Sequence, residues 1–147
     1  MKRVIGFFVA VILLISLCVF KESDYALFDG FSRVIVVSEQ EQSYQNYLTN
    51  GNQYYYIFDE HADVKQLLGQ SFVSYNFYYS PDFNIEKFMS NLDFCYQGGD
   101  IEGYKLYYGY YCDFNDFRYV DGKKVNIQIA LTQSEIIVGL PLITTGY

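Results

Sequence analysis

The sequence predicts an α+β protein: an N-terminal hydrophobic helix, then an antiparallel sheet with two or three helices packed on one face. Three observations lead there. Residues 4–20 form an uncharged apolar run, broken only by Gly6 and Ser16 and preceded by Lys2 and Arg3. Beyond them, short β-branched and aromatic runs alternate with Gly, Asn and Asp turn signals. Between those runs lie short stretches with helix-start residues and helical apolar spacing.

Positive charge ahead of an apolar run marks a segment that enters or crosses a membrane, so residues 1–22 read as a signal peptide or an N-terminal membrane anchor. A helix over residues 4–20 spans about 25 Å, short of the roughly 30 Å hydrocarbon core. Snorkelling of Lys2, Arg3 and Lys21 lets a short span hold. Ser16-Leu17-Cys18 supplies small residues at cleavage spacing, so anchor and cleaved signal both stay open. Leu17 is too large to precede a lipid-bearing Cys18. Either way residues 23–147 are expected outside the cytoplasm as one extracytoplasmic domain, tethered to the cell membrane by a single pass or secreted.

Within that domain, 33–37 is a β-branched strand. Ser38-Glu39-Gln40-Glu41 has the S-x-x-E form of a capping box and predicts a polar helix to about Leu48, stopped by Asn50-Gly51. Residues 54–58 predict a second strand. Asp59 is placed to cap a short helix carrying Val64, Leu67 and Leu68, ended by Gly69. Residues 71–79 are strand-like, and 84–92 predict an amphipathic helix with Ile85, Phe88, Met89 and Leu92 on one face. Gly98, Gly99 and Gly103 bracket a turn before a strand at 104–111.

The C-terminal third is the most sharply patterned. Asp121-Gly122 between 117–120 and 123–131 is a two-residue hairpin signal of type I′. Val125, Ile127, Ile129 and Leu131 alternate with Asn126, Gln128 and Ala130, predicting a core face and a polar face. A loop at 132–135 leads into a strand at 136–142, whose Pro141 suits an edge or a terminus. Gly122-Lys-Lys-Val-Asn-Ile-Gln-Ile-Ala130, then Val138-Gly-Leu-Pro-Leu-Ile143 and Gly146-Tyr147, resemble the end of YwmB-type proteins. These are uncharacterised secreted or anchored proteins of low-GC Gram-positive bacteria, with a fold likened to the TATA-binding protein. The resemblance is limited to the C-terminal third. It implies a fold and an address, and no mechanism.

Charge narrows the partners. Removing Lys2, Arg3, Lys21 and Glu22 takes away two net positive charges, moving the formal charge from −7 to −9. An acidic body with no cationic cluster beyond Lys123-Lys124 disfavours nucleic acid. His61 among Asp59, Glu60 and Asp63 reads as a solvated helix start, since its neighbours fall on different helical faces. Asp113, Asn115 and Asp116 have calcium-type oxygens but neither the spacing nor the distal glutamate of a calcium loop. No catalytic, cofactor-binding or metal-ligating residue is assigned, and the sequence leans away from an enzyme. The 17 tyrosines and 13 phenylalanines, with no tryptophan, put rings on both faces at 54–56, 78–79, 107–108 and 110–111. They read as core and sheet surface, or as an exposed patch for a protein partner. The leading functional reading is a non-enzymatic cell-envelope interaction module. The alternative is an envelope hydrolase or carbohydrate binder using acidic residues. Cys95 and Cys112 are expected as free thiols, with Cys95 turned outward, Cys112 inward, and the hairpin between them turning at Gly99-Asp100.

Overall fold

Residues 25–101 and 103–146 are described in the computed structural model, so the expected hydrophobic helix lies outside the described residues. Eight strands form one antiparallel sheet. They are β1 (Arg33–Ser38), β2 (Tyr47–Asn50), β3 (Gln53–Asp59), β4 (Ser74–Tyr79), β5 (Phe94–Ile101), β6 (Tyr104–Tyr110), β9 (Ile127–Leu131) and β10 (Ile136–Leu140). Their spatial order is β2-β3-β1-β4-β10-β9-β6-β5. The remaining strands, β7 (Arg118–Val120) and β8 (Lys123–Val125), pair only with each other.

This corrects the expected α+β architecture. The described residues are mostly antiparallel sheet, with two one-turn helices, α1 (Val64–Leu68) and α2 (Ile85–Ser90), and a 3-10 turn at Tyr25–Phe28. No layer of two or three helices covers the sheet. Instead the rings of Phe28, Phe31, Phe72, Phe83 and Phe114 cover the apolar face from loops and turns. An aromatic side chain buries about 150–250 Å² and needs no regular backbone to do so. The polar helix expected from Ser38 is absent. The Ser38 hydroxyl instead donates to the Gln40 carbonyl at 2.6 Å and accepts from the Gln40 N–H at 3.1 Å. That local loop competes with helix, and residues 39–46 carry no apolar stripe to favour the helix. The segment continues as β2, which pairs Tyr47 with Tyr56 and Asn50 with Gln53.

Other local signals are realised with small shifts. Asp63, rather than Asp59, caps α1 by accepting from the Gln66 N–H at 3.0 Å, and Asn84 caps α2 through the Lys87 N–H. Asp121 and Gly122 have φ of 50° and 74°, the left-handed pair that a type I′ turn requires. The β5–β6 turn falls three residues later than Gly99-Asp100, with Ile101 opposite Tyr104 and a bulge between Gln97 and Gly99. Pro141 falls just past β10, which is an interior strand rather than an edge.

Both faces of the sheet centre are covered. The first face carries the main core, which gathers Val34, Val36, Phe77, Tyr79, Ile127, Ile129 and Val138 beneath the aromatic loops. The second face carries a small cluster of Tyr78, Leu106, Ala130 and Ile137. Its cover is the chain end. Ile143 N–H donates to Gln128 Oε1 at 2.9 Å, and Thr144 N–H donates to Asn76 Oδ1 at 3.1 Å. Thr144 and Ser74 share a hydroxyl bond, and Thr145 Oγ1 lies 2.6 Å from the Tyr78 hydroxyl. The strap passes so close to β10 that a Cβ on Gly139 would stand 2.4 Å from the Ile143 nitrogen. So the expected polar face of residues 125–131 is buried too: Gln128 is satisfied by the strap, and Asn126, at the bend between β8 and β9, by the Tyr111 and Phe114 backbone. Among the described residues, no helix is long and apolar enough to cross a membrane.

Candidate functional site

Beyond residue 22 the chain has seven Lys and Arg residues, and three of them fall within 118–124. The fold brings two of these three onto aromatic rings. Strand β5 is an edge strand, and its register with β6 sets Phe94 opposite Tyr110 and Tyr96 opposite Tyr108. All four side chains therefore lie on the second face of the sheet. Phe94 stacks on Tyr110 at 6.0 Å and on Tyr96 at 6.4 Å, making a short ladder of rings.

The β7–β8 hairpin lies against this ladder. Tyr96 donates its hydroxyl to the Val120 carbonyl at 3.2 Å. Lys123 Nζ sits 3.9 Å from the Tyr96 ring centroid, and Lys124 Nζ sits 4.0 Å from Phe117 and 5.1 Å from Tyr110. Each such contact contributes about 0.5–1 kcal/mol at an exposed site. Its larger consequence is positional. An ammonium held over a ring has less freedom to lose when it meets a carboxylate. Burial, followed by the charge of Asp121, raises the Tyr96 phenol above its ordinary value. Phe94 is 38% exposed and Tyr119, beside Phe117, is 71% exposed. The surface thus presents ring faces and two oriented cations.

The tyrosines divide between the two roles expected of them. Tyr56, Tyr75, Tyr78 and Tyr79 are buried, whereas Tyr47 and Tyr119 are exposed. Burial raises the Tyr75, Tyr78 and Tyr79 phenols, most strongly that of Tyr79. The cation–ring pairing was not read from the sequence. The signal was there, because Lys123 and Lys124 follow an Asp-Gly turn that must fold them back on the preceding strand.

The other acidic groups separate. Asp59 accepts from the His61 N–H at 2.9 Å, Asp63 caps α1, and exposed His61 lies 3.8 Å from Glu60. Among the described residues, no three His, Cys, Asp or Glu side chains stand together as a metal site. Asp113, Asn115 and Asp116 all line the rim of one cleft of about 480 Å³. Cys95 and Cys112 are not joined in a disulfide. Their facing is the reverse of the expectation: Cys95 packs against the main core, and Cys112 is exposed. Cys95 pairs with Gly109 across the sheet, and burial raises its thiol above the ordinary value.

Compared with protein-family models, curated proteins and solved structures, the chain finds no match.

Proposed function

We propose that this protein is a non-enzymatic interaction module of the cell envelope, delivered outside the cytoplasm by residues 1–22. Its body engages a protein partner through the aromatic and lysine surface of β5 to β8. The supporting observation is the pair Lys123 and Lys124, each stacked on exposed-face rings in an otherwise acidic body. A partner that fits has apolar groups to lie on Phe94 and Tyr119, and carboxylates to meet the two ammonium groups. Membership of the YwmB-type proteins, on the C-terminal resemblance, belongs to the same proposal and suits its address.

The test is site-directed photocrosslinking of the full chain in intact cells. A photoreactive phenylalanine analogue at Tyr119 is expected to trap a discrete protein partner, and the same analogue at exposed Ile57 is not. The double change Lys123→Ala, Lys124→Ala should reduce the Tyr119 product at least tenfold. An unchanged product, or identical products from both positions, would defeat the proposal. Protease added to intact cells tests the address: protection until lysis would place the body inside.

A further inference from the structure

The cleft on the first face is a separate feature, independent of the lysine surface. Its floor comes from central strands: Tyr75 of β4 and Leu140 at the end of β10. One rim is the segment 70–72, and the other is the loop 113–116. At about 480 Å³ it has the size of a small-ligand site.

Both rims are held in shape. Tyr75 donates its hydroxyl to the Gln70 carbonyl, and Gln70 Nε2 lies 2.7 Å from the Tyr44 hydroxyl. On the other side, fully buried Asn126 accepts from the Tyr111 N–H at 2.8 Å and donates to the carbonyls of Tyr111 and Phe114 at 2.8 and 3.0 Å. Asp93 adds a bond from the Cys112 N–H at 2.7 Å. A buried asparagine spending three bonds on one loop fixes that loop without a helix or strand, so the cleft is formed before any ligand arrives.

The lining decides the ligand class. Among the described residues, no lysine or arginine lines the cleft. The neighbouring cation, Arg118, is engaged by Asp116 at 2.6 Å and by the Phe117 carbonyl at 2.8 Å. Asp113 and Asp116 offer acceptors for hydroxyl donors, and the described lining holds no cation to favour an anion. Phe72 and Phe114 come from separate segments and supply rings on which apolar C–H surface can lie. A peptide added as a strand would need an open strand edge, and β4 and β10 are interior strands already paired on both sides. Hydroxyl-rich, uncharged and apolar on its ring faces describes a sugar. We infer that this cleft is a binding site for a short neutral glycan, with Phe72 and Phe114 stacking on sugar rings and Asp113 accepting from hydroxyl groups.

The experiment is a calorimetric titration of the full chain in detergent micelles with the tetramers of glucose, mannose and N-acetylglucosamine. A tetramer of galacturonic acid serves as the anionic comparator. At least one neutral tetramer is expected to bind saturably, and at least tenfold more tightly than the galacturonate. Asp113→Asn, a change at the cleft rim, should weaken that binding tenfold or more, as should Phe72→Ala. The Lys123→Ala, Lys124→Ala double variant should bind like the unaltered chain, so this test and that of the lysine surface fail separately. Saturation by none of the neutral tetramers, equal binding of the galacturonate, or unchanged binding by Asp113→Asn would each overturn the inference.

Discussion

Strand β4 places consecutive residues on two differently built faces of one sheet. Tyr75, Phe77 and Tyr79 point into the main core, where phenylalanine rings from loops and turns pack against them. Ser74, Asn76 and Tyr78 point the other way and meet the chain end, bond by bond, through Thr144 and Thr145. The first face is held by apolar area, which is non-directional and forgiving of backbone irregularity. The second is held by a few directional bonds whose partners are buried and costly to leave unpaired. The first face supplies most of the buried apolar area, and the second fixes where residues 143–145 lie.

The sharpest way to separate the faces is to remove one large side chain from the apolar one. Phe77 is fully buried, stacks on Phe28 at 4.9 Å and meets Phe31 edge-on at 5.4 Å. Phe77→Ala should lower unfolding free energy by about 3–5 kcal/mol, read as a drop in denaturant midpoint at constant slope. A loss under about 1 kcal/mol would show that the rings do not form a continuous core.

On the opposite face the expected effect is smaller and depends on a partner. Asn76 donates to the Ile35 carbonyl at 3.2 Å and accepts from the Thr144 N–H at 3.1 Å. Asn76→Ala should cost about 1–3 kcal/mol, because it removes the bonds of a fully buried amide to β1 and to the strap. In a chain ending at residue 142 the same substitution should cost at least about 0.5 kcal/mol less. Equal costs in the two backgrounds would mean that the strap and Asn76 are not coupled.

Much of this sheet is legible in the sequence, and the omissions have identifiable causes. β1, β3, β4, β6, β10 and the Asp121-Gly122 hairpin announce themselves by alternation and turn chemistry, which act within a few residues. The Ser38 capping box misleads because its motif is local, whereas helix formation there needed an apolar stripe that residues 39–46 lack. Cys95 is misplaced because strand parity was extended back through Leu92 and Asp93, which precede β5. The burial of Asn76 and Gln128 is invisible locally, since their partners lie 68 and 15 residues away. The cleft shares that character. Asp113 and Asp116 are readable as an acidic loop, but Phe72 and Tyr75 reach them only through the sheet order β4-β10-β9-β6.

The finest comparison uses adjacent tyrosines on opposite faces. The Tyr79 hydroxyl donates to the Phe28 carbonyl at 3.0 Å inside the core, while the Tyr78 hydroxyl meets Thr145 at 2.6 Å under the strap. Replacing either by phenylalanine should cost about 0.5–1.5 kcal/mol at neutral pH. Alkali then distinguishes them. Burial raises both phenols, Asp29 pushes Tyr79 further up, and for Tyr78 the Thr145 bond and Arg33 act in the opposite direction. A raised pKa in the folded state means that the neutral phenol is the form the fold accepts. Its stability contribution is complete below the unfolded value of about 10 and is lost as pH climbs from there toward the folded value. The unaltered chain should therefore lose stability between about pH 9 and about pH 11, Tyr79→Phe should lose the least across that interval, and Tyr78→Phe should fall between them. Denaturant midpoints at the two pH values measure this. Equal losses for the two variants would mean that the strap encloses its tyrosine as completely as the core does.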